Sequence, residues 1–409
     1  MEIFFGHQAC NKALLIIVST MRTVNQLIII LCLLMANRAT EATANSCVKN
    51  DDSTTIDCGC GDGVSRPTTT TTSNQQQPSN LPTEHSRGSP LVTFSVTKDM
   101  IHIPPTSPAG FTMGWQQPPT SSPTPNPLDW HDWSPNPLDG ETPPKPNVVI
   151  SKPFFIDRYP VSVGDFWAFV HSVPSYIPTS YEFNDTYVFQ GEFASLDVSE
   201  SLNVINGYSQ EVPWWVNVKG VHWNTPPINT DDNPAASFVH TLSNIDPPAL
   251  DRLKHPVVHV SFLDASKFCA WRNGARLPSE TEWEYAARGG KEGRVYPWGN
   301  LDLTSNGDYR ANYFQGTFPS QNEARDGHLF TNERGAFPPQ NNYGLVDMVG
   351  NVWEWTTTDF DETNKVKKGG SFLCEKSYCF RYRNAARSRN TPDSTASNLG
   401  FRCVSDVGY

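Results

Sequence analysis

The segment LPSETEWEYAARGG, residues 277–290, is the clearest secondary-structure signal in the chain. Ser279 and Glu282 have the spacing of a capping box, in which the two residues satisfy exposed N–H groups at a helix start. Trp283 begins an apolar pattern at helical spacing, and Gly289 follows as a helix stop. The segment therefore predicts a short helix between Ser279 and Gly289.

The segment just before it, HPVVHVSFLDASKFCAWRNG, predicts a strand over Val257–Ser261 and a helix from about Asp264 that stops at Gly274. Elsewhere regular signals are sparse, since the 409 residues include 34 prolines and 27 glycines. Both residue types interrupt helices and strands. We expect a single loop-rich α+β domain with low regular secondary structure.

The N-terminal region predicts secretion. The apolar run LIIILCLLMANRATEATA follows Arg22 and ends in a small-x-small pattern at Ala42–Ala44. We expect residues 1–44 to be a signal peptide, with Met21 as an alternative start. The run is short for a membrane span, so we expect no stable membrane anchor, and an uncleaved anchor is the alternative.

The composition divides the mature chain into two parts. Residues 45–92 form a leader rich in Cys, Thr and Pro, which we expect to be disordered because it contains little apolar surface to bury. Residues 93–409 form the globular domain, in which the repeat within Pro125–Asp139 predicts an extended surface insertion. The net charge of -11 argues against a nucleic-acid partner.

Two cysteines near the C-terminus, Cys374 and Cys379, allow three explanations. A disulfide is the default in a secreted chain, provided that their Cα atoms lie within about 7 Å. A zinc site needs four ligands, and no second Cys/His pair lies at a suitable spacing nearby. Two thiolates alone suit a soft ion of low coordination number such as Cu(I). The neighbouring arginines at 381, 383 and 387 either favour thiolates or form structural ion pairs.

The segment KVKKGGSFLCEKSYCFRYRNAARSRNTPDSTASNLGFRC, residues 365–403, resembles the C-terminal signature of the formylglycine-generating enzymes, the sulfatase-modifying factor family. Further landmarks follow the family's order: IHIPPTSPAGFTMG, PWWVNVKG, HPVVHVSFLDASKFCAW, RLPSETEWEYAARGG, YPWGN and FPPQNNYGLVDMVGNVWEW. The resemblance covers roughly residues 98–403. It implies the family's C-type-lectin-like fold.

The resemblance also implies an activity. Members of the family use O2 to convert a cysteine in a Cys-x-Pro-x-Arg segment of nascent sulfatases into Cα-formylglycine, with copper held at the positions of Cys374 and Cys379. Ser371 and Tyr378 match positions that line the oxygen and substrate pocket, and Trp353 matches an aromatic wall. Glu375 stands where close members carry histidine, which puts a role for that side chain in doubt.

Two structural calcium sites are implied as well. Mixed carboxylate, amide and backbone oxygens suit this hard and flexibly coordinated ion. The first site is matched by Asn312, Tyr313, Asp326 and His328. The second site is matched by Asp347, Met348, Gly350, Val352 and Glu354. Without the resemblance, these loops read as ordinary turns.

The resemblance implies a disulfide between Cys269 and Cys403. A second family disulfide is missing at both ends, where Ala287 and Asn384 stand. In the leader, Cys58 and Cys60 resemble an N-terminal pair linked to dimerisation, redox exchange and retention by luminal thiol chaperones, whereas Cys47 has no counterpart. Pro160 and Val163 depart from the family pattern.

Asn184 begins a sequon for N-glycosylation. We expect the protein in the lumen of the endoplasmic reticulum, either retained there by a partner or partly secreted, as a monomer, a homodimer or a heterodimer with a paralogue. Two alternatives to the oxidase remain. One is a non-catalytic binding module of the same fold, and the other is a secreted glycoprotein in which Cys374 and Cys379 form a permanent disulfide.

Overall fold

The computed structural model describes residues 99–116, 143–193, 205–224 and 250–407, except for the short gaps 174, 210–211, 213, 304–306 and 377–378. The predicted signal peptide, the leader with its cysteines and the insertion at 125–139 lie outside the described residues. No helix in the described part of the chain is long and apolar enough to cross a membrane.

Helices are few and short, as expected for a loop-rich α+β domain. The four α-helices of the described residues are α1 (Val163–Ser172), α2 (Thr179–Phe183), α3 (Phe262–Trp271) and α4 (Glu280–Arg288). Two short 3-10 helices cover Gln190–Phe193 and Leu250–Lys254.

The prediction of a helix between Ser279 and Gly289 is confirmed by α4. Ser279 is its N-cap, and the reciprocal hydrogen bonds with Glu282 form the capping box. Gly289 ends the helix in the left-handed conformation, with φ of 59°. A Cβ at this glycine would also lie 2.8 Å from the Asn341 side chain, so a larger residue fits neither the backbone angle nor the space.

The predicted strand over Val257–Ser261 is wrong. His259 has φ of 59°, a left-handed conformation that breaks an extended segment, and its N–H donates to the Ala396 carbonyl instead of a ladder partner. The adjoining helix α3 begins at Phe262 rather than at Asp264, because Ser261 and Asp264 form a second capping box. The apolar run indicated burial correctly but not an extended conformation.

Short strands form two four-stranded sheets and smaller pairings. The first sheet has the order β1 (Met100–Ile103), β4 (Phe154–Asp157), β15 (Val404–Ser405), β8 (Ala275–Arg276). The second has the order β13 (Arg387–Asn390), β12 (Lys365–Lys368), β11 (Trp353–Asp359), β14 (Leu399–Gly400), in which β11 and β14 run parallel.

A three-stranded sheet has the order β5 (Asp185–Phe189), β7 (Trp215–Lys219), β6 (Ile205–Tyr208). Two ribbons pair β2 (Phe111–Met113) with β3 (Lys145–Val148), and β9 (Gly316–Thr317) with β10 (Gln321–Asn322).

Several tryptophans lie in the core, and those on α4 and β11 bury indole N–H groups that need hydrogen-bond acceptors. The Trp283 indole N–H donates to Glu354 Oε2 at 2.7 Å, and the Trp355 indole N–H donates to the Val260 carbonyl at 3.1 Å. Both side chains are fully buried, where an unmade hydrogen bond would cost about 1–3 kcal/mol. The indole contacts therefore fix α4 and the 257–261 segment against β11.

A buried ion pair between Arg402 and Glu354 joins several parts of the domain. Arg402 contacts both carboxylate oxygens of Glu354 at 2.7 Å, and both side chains are 0 % exposed. The same guanidinium donates to the carbonyls of Asp157 and Arg158 at the end of β4, and to those of Val346 and Asp347. All three guanidinium nitrogens of Arg402 thus donate to oxygens, and such additional hydrogen bonds are what makes a buried charge tolerable.

Replacing Arg402 by methionine should lower the free energy of unfolding by about 3–5 kcal/mol, because the Glu354 carboxylate would remain buried without its cation. Chemical denaturation of the purified variant measures this loss. Arg276→Met is the matched control: Arg276 pairs with Glu282 and Asp406 with its side chain 40% exposed, so about 0–1 kcal/mol is expected. Equal losses in the two variants would contradict the role given to Arg402.

Candidate active site

The two cysteines lie on the loop that follows β12. Cys374 and Cys379 are buried, with their sulfur atoms 3.6 Å apart. Because an S–S bond is about 2.05 Å long, the two cysteines are not bonded to each other. Cys374 is a free thiol, whereas Cys379 is disulfide-bonded. Cys379 therefore needs reduction before it can act as a thiolate.

A double glycine directs the chain into this loop. Gly369 and Gly370 have φ of +98° and +71°. A Cβ on Gly369 would lie 2.7 Å from the Met348 carbonyl oxygen, and one on Gly370 would lie 2.9 Å from the backbone of Tyr382. Both the positive φ angles and the close backbone approach require glycine.

Ser371 contacts the first cysteine directly. Its backbone N–H donates to Cys374 Sγ at 3.3 Å, and its hydroxyl oxygen accepts from the Leu373 N–H at 3.3 Å. Burial raises the pKa of the Cys374 thiol to about 11, while hydrogen bonds from Ser371 and the charges of Arg381 and Lys367 act in the opposite direction. The surroundings thus favour a neutral thiol in the metal-free chain and already contain groups that stabilise its thiolate.

The three neighbouring arginines have different environments. Arg381 is buried, and its positive charge acts to lower the pKa of the Cys374 thiol, which is one of the two roles that the sequence suggested. Arg387 pairs with Glu280 at 2.9 Å and lies over the Phe360 ring, which is a structural role. Arg383 lies 4.3 Å from the centroid of the Phe380 ring.

Trp353 is fully buried at the start of β11. The Lys367 ammonium lies 5.0 Å from the centre of its ring and donates to Asn390 Oδ1 at 2.6 Å. A buried cation over an aromatic face holds the ring in place. Tyr378 lies outside the described residues. The Glu375 carbonyl accepts the Cys379 N–H at 2.7 Å.

The structure adds Asn398, which the sequence did not single out. Its side-chain Nδ2 donates to Ser371 Oγ at 2.9 Å, and its carbonyl accepts the Trp353 N–H at 2.8 Å. The residue before it, Ser397, donates its hydroxyl to the buried carboxyl of Glu192. Nothing local in the polar run STASN distinguishes these two residues, because their partners are distant in sequence.

Three of the four residues implied for the first calcium site, Tyr313, Asp326 and His328, meet at one carboxylate. Asp326 Oδ2 accepts the Tyr313 N–H at 3.1 Å, and Oδ1 accepts the His328 N–H at 2.9 Å. The amide of Asn312 donates to the Phe330 carbonyl, which leaves its Oδ1 buried without a hydrogen-bond partner. An unpartnered buried amide oxygen fits a cation ligand.

The second implied calcium set has a similar feature. Asp347 Oδ1 is buried without a hydrogen-bond partner, and burial raises the pKa of this carboxyl to about 7. Glu354 differs, because its two oxygens already accept bonds from Trp283 and Arg402 and a cation there would compete with Arg402. Across the described residues, no three His, Cys, Asp or Glu side chains cluster as a metal site, so a calcium ion would depend largely on amide and backbone oxygens such as those of Met348, Gly350 and Val352.

The structure joins Cys269 and Cys403 in a disulfide with a Cα–Cα distance of 5.6 Å, the pairing that the resemblance implies. The positions that lack the second disulfide, Ala287 and Asn384, are both fully buried. Asn384 instead donates its amide to the Arg294 carbonyl at 3.2 Å. A hydrogen bond therefore fixes this segment at the position where the resemblance would place a second disulfide.

The predicted glycosylation site is sterically suitable. Asn184 is exposed and ends α2 with φ of 54°. Thr186 of the same sequon is buried, with its hydroxyl 3.0 Å from His259 Nδ1. Glycosylation of Asn184 stays a prediction, and it would have to precede folding because an acceptor sequon must be accessible.

The family model for the sulfatase-modifying factor enzyme 1-like domain matches residues 97–407. The chain belongs to this family. The mouse formylglycine-generating enzyme is 44% identical over 285 residues, which cover 66% of this chain and 69% of the relative. The enzyme of that name from the bacterium Thermomonospora curvata is 41% identical over 290 residues, covering 66% of this chain and 87% of the relative.

The sulfatase-modifying factor family also has members named as inactive. A bovine relative named inactive C-alpha-formylglycine-generating enzyme 2 is 40% identical over 280 residues, with 67% of this chain and 84% of the relative covered. Among solved structures, PvdO from Pseudomonas aeruginosa is 20% identical with a TM-score of 0.45, covering 76% of this chain and 97% of that one. Since both kinds of relative have similar identity, catalytic activity must be argued from the site.

Replacing Glu192 by glutamine should stabilise the protein increasingly as the pH rises. Burial raises the pKa of Glu192 from 4.5 to about 8, against the opposing contributions of Ser397, the Phe189 N–H and Arg252. The folded state thus binds this proton more tightly, and the stability that it contributes is present below pH 4.5 and is lost as the pH approaches about 8.

Denaturation of wild type and Glu192→Gln at pH 5 and pH 8 measures the effect, and a gain of about 1–3 kcal/mol for the variant is expected at the higher pH only. Glu182→Gln, which alters an exposed carboxylate on α2, should show no such pH-dependent gain. A pH-independent difference for Glu192→Gln would contradict the assignment.

Proposed function

We propose that this chain is an active formylglycine-generating enzyme, which oxidises the cysteine of a Cys-x-Pro-x-Arg segment in sulfatases to Cα-formylglycine with O2. The observation that carries the proposal is the contact of two buried sulfur atoms, Cys374 and Cys379, at 3.6 Å without a bond between them. A permanent disulfide between these two cysteines is the alternative that this distance argues against.

Cys374 and Cys379 would hold one Cu(I) ion, since soft thiolates are its preferred ligands and the described residues offer no competing cluster of hard ligands there. When bound, the ion supplies the site for O2 and for the substrate thiolate. Overall, the reaction consumes one O2 together with two electrons and two protons from a thiol reductant. One oxygen atom enters the aldehyde and the other becomes water, while the substrate sulfur leaves as hydrogen sulfide.

The protein's own residues prepare this chemistry. A thiol reductant must first open the disulfide of Cys379, a step that a redox pair such as the predicted Cys58 and Cys60 is suited to relay. Ser371 then stabilises the Cys374 thiolate through its N–H at 3.3 Å. The Trp353 ring, which Lys367 holds in place, would form the aromatic wall that the resemblance implies. Tyr378 stays a predicted pocket residue.

The remaining expectations are proposals of the same kind. The substrate would be a sulfatase that has not completed folding, bound as an extended strand in a surface groove. The protein would act in the lumen of the endoplasmic reticulum, with thiol chaperones and dimer formation acting through the leader cysteines. Two calcium ions would rigidify the loops around Asn312 and Asp347.

Mass spectrometry of a Cys-x-Pro-x-Arg peptide tests the activity. The reduced chain from residue 45, loaded with Cu(I) in air, should yield an aldehyde that a hydrazine probe captures. Cys374→Ser and Cys379→Ser should each lower the rate at least about a thousandfold, because each removes a thiolate ligand. Asn384→Ser, a buried replacement outside the site, should retain activity.

Other outcomes have defined meanings. A wild-type chain that binds the peptide but leaves it unchanged would be a non-catalytic binding module, like the relatives named as inactive. A chain that takes up no Cu(I) after reduction would contradict the copper site itself.

Calcium should raise the melting temperature of the wild-type chain. At a concentration about 100 times Kd, binding adds about 2.7 kcal/mol per site. Asn312→Ala and Asp347→Ala should each lose part of this shift, because each removes an oxygen that is buried without a partner. Asp361→Ala, at an exposed turn, should keep the whole shift, and an unchanged shift in both test variants would contradict the assignment.

A further inference from the structure

One buried amide side chain connects the two implied calcium sets. Among the described residues, Asn312 Oδ1 of the first set and Asp347 Oδ1 of the second are buried without a hydrogen-bond partner. Asn332 belongs to neither set and is 0 % exposed. The Asn312 Nδ2 donates to Asn332 Oδ1 at 3.1 Å, and Asn332 Nδ2 donates to Asp347 Oδ2 at 3.4 Å. Asn332 therefore contacts one ligand residue of each set.

Backbone carbonyls fix the direction of both amides. The Phe330 carbonyl lies 2.6 Å from Asn312 Nδ2, and the Glu333 carbonyl lies 3.0 Å from Asn332 Nδ2. Because a carbonyl oxygen only accepts, each of these contacts must face an amide nitrogen. This direction leaves Asn312 Oδ1 and Asp347 Oδ1 as the oxygens that are open to a cation.

A second connection between the two sets runs through the backbone of Asn332. Asn351 Oδ1 accepts the Asn332 N–H at 3.0 Å, and Asn351 Nδ2 donates to the Asn332 carbonyl at 3.3 Å. Asn351 lies between Gly350 and Val352 of the second set, and its own N–H donates to the Asn312 carbonyl at 2.9 Å. A displacement of Asn332 would therefore move parts of both sets.

We propose that Asn332 is a positioning residue that couples two calcium sites, so that an ion in either site strengthens binding in the other. The inference rests on the two calcium ions of the proposed function and not on its oxidase activity. An ion at Asn312 would immobilise this amide and, through it, Asn332, so the second ion would meet Asp347 already ordered. The reverse also holds, because coupling between two binding sites is reciprocal.

The sign of the coupling distinguishes this bridge from direct electrostatics. Two dications repel each other, so sites that interact only through the charges of their ions would bind the second ion more weakly. Sites without any interaction would bind the two ions independently. Tighter binding of the second ion therefore requires a connection through the protein, and Asn332 provides one.

Native mass spectrometry of the purified, copper-free chain measures the coupling by counting molecules with zero, one or two calcium ions at each free calcium concentration. Asp326→Ala and Asp347→Ala each remove a carboxylate from one set, and each gives the dissociation constant of the remaining site. The product of the two constants in wild type should be about five- to tenfold smaller than the product of these single constants.

Asn332→Leu tests the bridge, because leucine has a similar branched shape and no polar atom. In this background the same ratio of products should fall to about one or below, since only the repulsion between the ions remains. Asn332→Ser, whose shorter side chain cannot span both partners, should change the ratio in the same direction and serves if the leucine variant does not fold. Asn384→Leu is the matched control: Asn384 is equally buried, donates to the Arg294 carbonyl, and should leave the ratio unchanged.

The outcomes separate this inference from the proposed function. A wild-type ratio of one or below, or a ratio that the Asn332 variants leave unchanged, would overturn the coupling. A chain that binds fewer than two calcium ions would overturn it together with the calcium sites. A lower melting temperature of Asn332→Leu with an unchanged ratio would show that Asn332 is structural only. The aldehyde assay decides the oxidase separately, and its failure would leave a measured coupling intact.

Discussion

The bidentate pair of Arg402 and Glu354 is the interaction on which the rest of the domain depends. Both side chains are 0 % exposed, and Arg402 additionally binds backbone carbonyls at the end of β4 and in the 346–347 loop. Because Glu354 lies in β11 of the second sheet and Asp157 lies in β4 of the first, this one polar contact holds segments of both sheets together. Trp283 completes the arrangement by donating to the same carboxylate.

The site is built on this frame. Glu354 follows Trp353 in β11, and Asp347 and Met348 lie on the loop whose carbonyls Arg402 holds. Gly369 packs against the Met348 carbonyl and starts the cysteine loop. A shift of the frame would therefore move Trp353 and the cysteine loop together, so the frame keeps the residues of the candidate site in register.

Local signals in the sequence predicted the local structure. The capping box at Ser279 and the glycine after α4 act between residues a few positions apart, and both are present in the structure. The motif around Cys374 and Cys379 predicted the site through its resemblance to a family, and Ser371 does contact Cys374. The left-handed backbone of His259 could not be predicted from local signals, because it is accompanied by a hydrogen bond to Ala396, which lies far along the chain. Asn398 and Glu192 were missed for the same reason: the contacts of the Ser397–Asn398 pair span 27 residues to Ser371 and 205 to Glu192.

The long reach of Arg402 has a consequence for biosynthesis. Its contact with the Asp157 carbonyl spans 245 residues, and the disulfide of the neighbouring Cys403 spans 134. Such non-local contacts form late, since the loop that they close is long. While the ribosome is still making the segment before residue 399, Glu354 has no cation and Cys269 has no partner. During that interval the nascent chain would be exposed to thiol exchange and to chaperones. Its release from them would therefore depend on the synthesis of Arg402 and Cys403.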